Sequence, residues 1–297
     1  MLKKQDESLA QTILPTDASC SLRTLERFLL HEIHLDSKAE SQAVLRRLLG
    51  HCFALTDADW ILNPTLTLSS TVRSTLLDAI ERLQQHEPIQ YILGTAYFAD
   101  SMFHVTPDVL IPRTETEEWV AFLRHAITPP TTVLDIGTGS GCIAITLKKY
   151  FPAASVEAID CSQAALRIAE SNAQKLGVAV QYIQADILTQ PLPPRSWSLI
   201  VSNPPYVRMQ EKKFMKPNVL NHEPHLALFV EDADPLVFYK RIIQLARAHL
   251  EPKGTLCVEI NEVFGKKVVD LLHRTQFQEV VLHKDLYAKE RWVMAIR

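Results

Sequence analysis

The second half of the chain switches repeatedly between two periodicities, and few folds accommodate that. From residue 131 onward, β-prone apolar runs recur at 132–136, 155–159, 180–183, 198–201 and 255–260. Helical patterns fall between them, at 162–176, closed by Gly177, and at 235–250. Strand–helix alternation predicts parallel strands with helical crossovers on both faces of one sheet. Two further runs, 279–282 and 291–296, are separated by about eight residues, too few for a helical crossover, so that pair is expected to be antiparallel. The predicted architecture is α/β: a seven-stranded, doubly wound, Rossmann-like sheet with an antiparallel edge pair.

Upstream the pattern is different. Residues 1–18 are polar and expected to fray. Leu22, Leu25, Leu29 and Leu30 fall near one helical face, and a second helix is expected over 37–50 with Val44, Leu45, Leu48 and Leu49 inward. Val72, Leu76, Ile80 and Leu83 share the face of a third. With no strand alternation among them, residues 1–85 are read as a small helical domain for docking a partner. Residues 86–113 are read as a β-hairpin linker built on Gln90-Tyr91-Ile92 and Phe103-His104-Val105, and 114–297 as the catalytic domain. Thr114 and Glu117 have capping-box spacing at the start of a helix carrying Trp119, Val120 and Leu123.

A chain of 297 residues has room for two domains and a sizeable core. The net charge of −3 leaves no electrostatic footprint for non-specific nucleic-acid binding, so no direct nucleic-acid partner is expected. Five widely spaced cysteines without a C-x-x-C argue against a disulfide framework or a zinc site, and no metal is expected. No apolar run approaches membrane-spanning length, which points to a cytoplasmic protein without membrane contact, expected to be a monomer.

Immediately after the first strand comes Asp135-Ile136-Gly137-Thr138-Gly139-Ser140-Gly141. Gly137, Thr138, Gly139, Ser140 and Gly141 form a loop whose glycines let the backbone turn tightly and approach a ligand. The helix that follows aims its N–H groups at that ligand. Asp160 ends the second strand, where a carboxylate suits the two hydroxyls of a ribose. The third glycine stands one residue too early for a dinucleotide loop, and no Arg or Lys occurs within 137–145 to meet a phosphate. Asp135 would oppose a pyrophosphate but suits a cationic amine or sulfonium, which selects S-adenosylmethionine over NAD. Asp186, ending the third strand, can accept from the adenine amino group. Asp160 as a helix N-terminal acid beside Ser162, and Asp186 as a turn former, are the structural alternatives.

Leu199-Ile200-Val201-Ser202 ends abruptly in Asn203-Pro204-Pro205-Tyr206. Two prolines supply no N–H donor and force a stiff, extended exit from the sheet. Asn203 offers a side-chain carbonyl, Pro204 a backbone carbonyl, and Tyr206 a flat aromatic face: a receptacle for a planar group bearing an NH2. The same residues also read as a loop in which Asn203 caps a turn and the prolines only stop a strand. Arg208, Lys212, Lys213 and Lys216, just beyond, read as a solvated loop or as a steering patch for a protein partner.

Together, the glycine loop, Asp160 and Asn203-Pro204-Pro205-Tyr206 resemble the class I S-adenosylmethionine-dependent methyltransferases that alkylate planar nitrogens. Pro88-Ile89-Gln90-Tyr91-Ile92-Leu93-Gly94, residues 110–117, Glu223-Pro224 with Ala227-Leu228, and Val258-Glu259-Ile260 carry the resemblance further, to the release-factor glutamine methyltransferases of the HemK type. It spans roughly residues 70–297. Departures at Thr114, Asn261 and Val230-Glu231 bear on local loops rather than on the reaction. The resemblance implies N5-methylation of the glutamine in the Gly-Gly-Gln loop of class 1 peptide-chain release factors, with S-adenosyl-L-homocysteine as co-product. It implies that Asn203, Pro204, Pro205 and Tyr206 hold the target amide, with Asn203 also facing the cofactor. Phe98, in the hairpin, is a candidate second wall of the pocket, with plain packing beside an exposed turn as the alternative. The competing readings are a glutamine methyltransferase acting on a ribosomal protein, an N6-adenine or N4-cytosine DNA methyltransferase, and a non-catalytic cofactor-binding assembly factor.

Overall fold

The computed structural model describes residues 19–33, 35 and 37–297. The polar segment 1–18 lies outside the described residues. Chain contacts divide the protein into two compact units, Met1–Leu93 and Gly94–Arg297.

The first unit holds β1 (Ser19–Ser21), α1 (Leu22–Leu29), α2 (Lys38–Phe53), α3 (Asp57–Leu62), β2 (Thr65–Thr67), α4 (Ser70–Gln84) and α5 (Ile89–Leu93). Ser21, Ser37 and Ser69 each cap a helix, accepting from the N–H of Thr24, Glu40 and Val72. Leu25, Leu29, Leu45, Leu48, Leu49, Leu76 and Leu83 form its buried core. Two expectations are corrected. β1 and β2 pair antiparallel, so the unit is not purely helical. Gln90-Tyr91-Ile92 is helical rather than strand, starting after Pro88 and ending at Gly94 with φ +66°. These helix start and stop signals outweigh the β-propensity of Tyr and Ile.

The second unit opens with the hairpin β3 (Thr95–Phe98) and β4 (Ser101–His104), turned by Ala99 and Asp100, both at positive φ. Next come α6 (Thr114–Ala126), β5 (Thr132–Ile136), α7 (Cys142–Tyr150), β6 (Ser155–Asp160), α8 (Gln163–Lys175), β7 (Gln181–Gln184) and β8 (Trp197–Ser202). The chain continues through β9 (Val207–Arg208), α9 (Pro217–His222), α10 (His225–Leu228), β10 (Phe229–Val230), α11 (Val237–His249), β11 (Leu250–Glu259), α12 (Gly265–Arg274), β12 (Gln278–Lys284) and β13 (Glu290–Ile296). At α6, Arg113 is the N-cap and Thr114 already the first helical residue, with no side-chain cap. The expected capping box is therefore absent, one residue out of register.

The seven-stranded sheet runs in the order β12-β13-β11-β8-β5-β6-β7. β5 pairs parallel with both β6 and β8, and β13 is antiparallel to β11 and β12. The predicted doubly wound sheet with an antiparallel edge pair is thus present. Two buried layers hold it: Leu134, Ile136, Ile200, Ile243, Leu256 and Val293 on one face, and Trp119, Val133, Ile145, Leu199, Val201 and Trp292 on the other. Winding begins at β5, runs outward to β7, then crosses back to β8 on the far side of β5. The carboxyl ends of β5 and β8 therefore flank the point where strand order reverses, the usual position of a ligand crevice in such sheets.

Candidate active site

Two segments leave the sheet at that switch point. Ile136 pairs with Ser202, so the glycine loop and the Asn203 turn emerge side by side. A Cβ built on Gly137 would stand 4.0 Å from the Asn203 backbone oxygen. Gly137, Gly139 and Gly141 take φ of 76°, 54° and 81°, the left-handed region that other residues enter only at a cost. At Gly141 crowding adds a second constraint: a Cβ there would come within 3.0 Å of both Ala169 Cβ and Ile145 Cδ1.

The acidic residues expected around the loop are all at strand ends, in different states. Asp135 is fully buried. Its Oδ2 accepts from Thr138 Oγ1 at 2.7 Å and Ala144 N at 3.2 Å, while Oδ1 is buried without a partner. Burial, opposed by those two donors, raises its carboxyl to about 7. Asp160 accepts from Gly139 N at 2.9 Å through Oδ2 and from Ser162 N at 2.9 Å through Oδ1. It thus ties the glycine loop to the start of α8, and the N-terminal acid role weighed for it is present. Asp186 also makes the turn contacts weighed for it: it accepts from Leu188 N at 2.9 Å and Thr189 Oγ1 at 3.1 Å. Asn172, on α8, was not singled out from sequence. Its buried amide accepts from His104 N at 2.7 Å and donates to the carbonyls of His104 and Ser140, both at 2.9 Å, pinning the loop to β4.

The second segment is held by a carboxylate that sequence reasoning left without a role. Glu259, ending β11, is 1% exposed. Its Oε2 accepts from Thr116 Oγ1 at 2.5 Å and Trp119 Nε1 at 2.9 Å, and its Oε1 from the Tyr206 hydroxyl at 2.9 Å. The Asn203 side chain joins the cluster by donating from Nδ2 to Thr116 Oγ1 at 3.1 Å. Burial raises the Glu259 carboxyl while its three donors oppose the shift. Tyr206 is pushed well above its ordinary value by burial and by the neighbouring carboxylate, so it stays a neutral donor. The Tyr206 carbonyl accepts from Asn261 Nδ2 at 3.3 Å, so one of the departing residues braces the turn. In sequence Glu259 is a carboxylate inside an apolar run, which requires partners if buried, and both it and Thr116 fall within the motifs that carry the resemblance, but neither position indicates a role.

The structure brings together Asn203, Pro204, Pro205, Tyr206 and the loop residues Gly137, Thr138, Gly139, Ser140 and Gly141. It does not bring Phe98 to them. Phe98 has no exposed surface, packs edge-on against Phe103 at 6.1 Å and belongs to the core layer around Trp119. The expectation that it walls the target pocket is therefore corrected: hairpin alternation turns Phe98 inward and leaves Tyr97 outside, 54% exposed. Of the basic residues after the turn, Arg208 pairs with Glu211, Lys212 lies 4.5 Å over the Phe229 ring and Lys213 lies 4.9 Å over the Phe214 ring.

The crevice fits a cofactor with a cationic end. Among the described residues, its charged side chains at the ends of β5, β6 and β7 are carboxylates, and Asp135 keeps one buried oxygen uncommitted. The glycine loop leaves backbone accessible at Gly137, where a phosphate-binding lysine or arginine would otherwise be expected nearby. That donor set suits the ammonium and sulfonium of S-adenosylmethionine.

Residues 119–224 match the methyltransferase small domain family. With the doubly wound sheet and the loop at its switch point, this makes the protein a methyltransferase. Residues 30–94 match the PrmC N-terminal domain. A release factor glutamine methyltransferase of Flavobacterium psychrophilum is 44% identical over 240 residues, covering 79% of this chain and 84% of that protein. One from Bacteroides thetaiotaomicron is 44% identical over 240 residues, covering 80% and 86%. A methyltransferase structure from Pyrococcus furiosus superposes with a TM-score of 0.49 at 16% identity, covering 65% of this chain and 87% of that one. The chain belongs to the release factor glutamine methyltransferase family.

Proposed function

We propose that the protein methylates N5 of the glutamine in the Gly-Gly-Gln motif of class 1 peptide-chain release factors, using S-adenosylmethionine. The observation that carries this reading is the state of the Asn203 turn. Among the described residues, Asn203 Oδ1 and the Pro204 carbonyl accept no hydrogen bond, while Asn203 Nδ2 is already committed to Thr116. Two acceptors are thus available for the two N–H groups of a primary amide, beside a glycine loop suited to the methyl donor.

An amide nitrogen is a poor nucleophile because its lone pair is delocalised into the carbonyl. Asn203 Oδ1 and the Pro204 carbonyl hold its two hydrogens, orient the nitrogen and favour partial pyramidalisation. The Tyr206 ring packs against the amide plane, held by the bond from its hydroxyl to Glu259. Pro205 stiffens the turn, so these acceptors need no reorganisation when substrate arrives. When bound, S-adenosylmethionine supplies an electrophilic methyl group and leaves as S-adenosyl-L-homocysteine. The N-methylated amide, still carrying the extra proton, is a strong acid and loses it to water without a side-chain base. Asp160 would hold the ribose, Asp186 the adenine amino group and Asp135 the ammonium, with residues 137–141 cradling the rest. Residues 1–85 dock the release factor, the hairpin links them to the catalytic part, and the substrate sets a cytoplasmic location.

The test is transfer of a labelled methyl group from cofactor into purified release factor, with a variant carrying Gln→Ala in the Gly-Gly-Gln loop as control. Label in the wild-type factor alone supports the assignment. Label in both factors, in ribosomal protein or in DNA instead defeats it.

A further inference from the structure

Methyl transfer to an amide nitrogen, as proposed, requires Asn203 to face one way. Its oxygen must point to the substrate and its NH2 away, yet the two ends of a carboxamide have nearly the same shape. We infer that Thr116 is a positioning residue that sets this polarity, acting as a one-way relay between Glu259 and Asn203; the inference rests on the proposed reaction.

The protons available in this cluster fix the orientation of the amide. The Trp119 indole can only donate, and it donates to Glu259 Oε2. That oxygen therefore presents lone pairs, and the Thr116 hydroxyl 2.5 Å away gives it its single proton. Thr116 Oγ1 is then left only with lone pairs toward its other neighbour. Asn203 meets it at 3.1 Å and can do so favourably only through Nδ2–H. The reversed amide would set two acceptor oxygens against each other among residues 3%, 0% and 1% exposed (Thr116, Trp119 and Glu259), where no water is at hand to mediate. With Nδ2 held by Thr116, Oδ1 is turned away from it and free to accept. The third donor on Glu259, the Tyr206 hydroxyl, fixes the other wall of the same receptacle from the same carboxylate.

The test separates hydroxyl from shape. Thr116→Val keeps the branched side chain and removes the relay; Thr116→Ser keeps the relay and removes a methyl. Val is expected to lower kcat for methyl transfer into release factor by at least about tenfold while cofactor Kd stays near wild type, and Ser to stay within about threefold of wild type. A Val variant with wild-type kcat, or Ser and Val equally impaired, would overturn the relay. A second readout does not depend on the acceptor. The Asn203 side-chain NH2 resonances, identified by their loss in Asn203→Ala, should move in the Val variant and return in the Ser variant. If wild-type protein fails to methylate release factor, the functional reading falls, while these resonances still decide the relay: unmoved signals in Thr116→Val reject it.

Discussion

Arg113 Nη2 lies 2.6 Å from Glu223 Oε1, joining the segment that opens α6 to the one that closes α9, 110 residues later. The Glu223 side chain is 1% exposed and Arg113 33%. Glu223 Oε2 also accepts from Ile111 N at 3.3 Å, so both carboxylate oxygens serve residues just ahead of α6. Removing the arginine leaves a buried carboxylate with one backbone donor. Allowing for solvent screening at the partly exposed guanidinium, Arg113→Ala is expected to cost about 2 kcal/mol. The thermal midpoint should fall by roughly 6 °C in a scanning melt. Arg113→Lys should recover only part of this, because an ammonium lacks the planar fork.

The glycines of the cofactor loop should separate under substitution. A Cβ at Gly139 meets nothing within 4 Å, whereas at Gly141 it collides with α7 and α8. Gly139→Ala should cost only about 1 kcal/mol, the price of a left-handed alanine. Gly141→Ala adds overpacking of about 1–3 kcal/mol. Denaturant midpoints should therefore rank Gly141→Ala well below Gly139→Ala, while isothermal titration should show cofactor affinity reduced in both.

Asn203→Ala should retain cofactor affinity and fold, because among the described residues the side chain's one hydrogen bond is to Thr116. It should lose methyl transfer by about a hundredfold or more, the scale expected for removing a preorganised acceptor. Single-turnover label transfer measures this, and near-wild-type turnover would remove Asn203 from the catalytic role.

Asp135 gives a pH signature. Its carboxyl is raised to about 7, chiefly by burial, so in the free protein it is mostly protonated at pH 5.5 and half ionised near pH 7. A ligand ammonium is held better by the carboxylate than by the acid. Cofactor affinity should therefore tighten as pH rises from 5.5 to 7, by about tenfold. Binding near pH 7 should release protons, seen as a buffer-dependent heat. Asp135→Asn should flatten the profile; a wild-type affinity that is already flat would exclude Asp135 as the ammonium partner.

What could be read from sequence was what is local. Residues 135–141 announce a strand, a glycine turn and a helix start within a few positions, and residues 199–206 announce a strand stopped by prolines. The sheet's parallel core and antiparallel edge followed from spacing alone. The cluster that holds Asn203 and Tyr206 is not local: Glu259 meets Thr116, Trp119 and Tyr206 across 143, 140 and 53 residues. No periodicity encodes such a meeting. Phe98 was misplaced for a different reason. Its neighbours Ala99 and Asp100 form a turn, and proximity to a turn suggested exposure, but period-2 alternation from Ala96 sends Phe98 into the core. The capping box failed by one residue because Arg113, not Thr114, takes the extended conformation before α6.

The last strand in sequence, β13, is not at the edge of the sheet: it sits between β11 and β12, and Trp292 pairs with Glu259 itself. The consequence is one of timing. A chain made from its N-terminus exposes the glycine loop, then the Asn203 turn, then Glu259, but β11 keeps an open flank until residues 290–296 emerge. The carboxylate that braces the receptacle is therefore not enclosed until residues 290–296 have been added. A nascent chain thus carries the glycine loop, the Asn203 turn and Glu259 before the strand that flanks Glu259 exists.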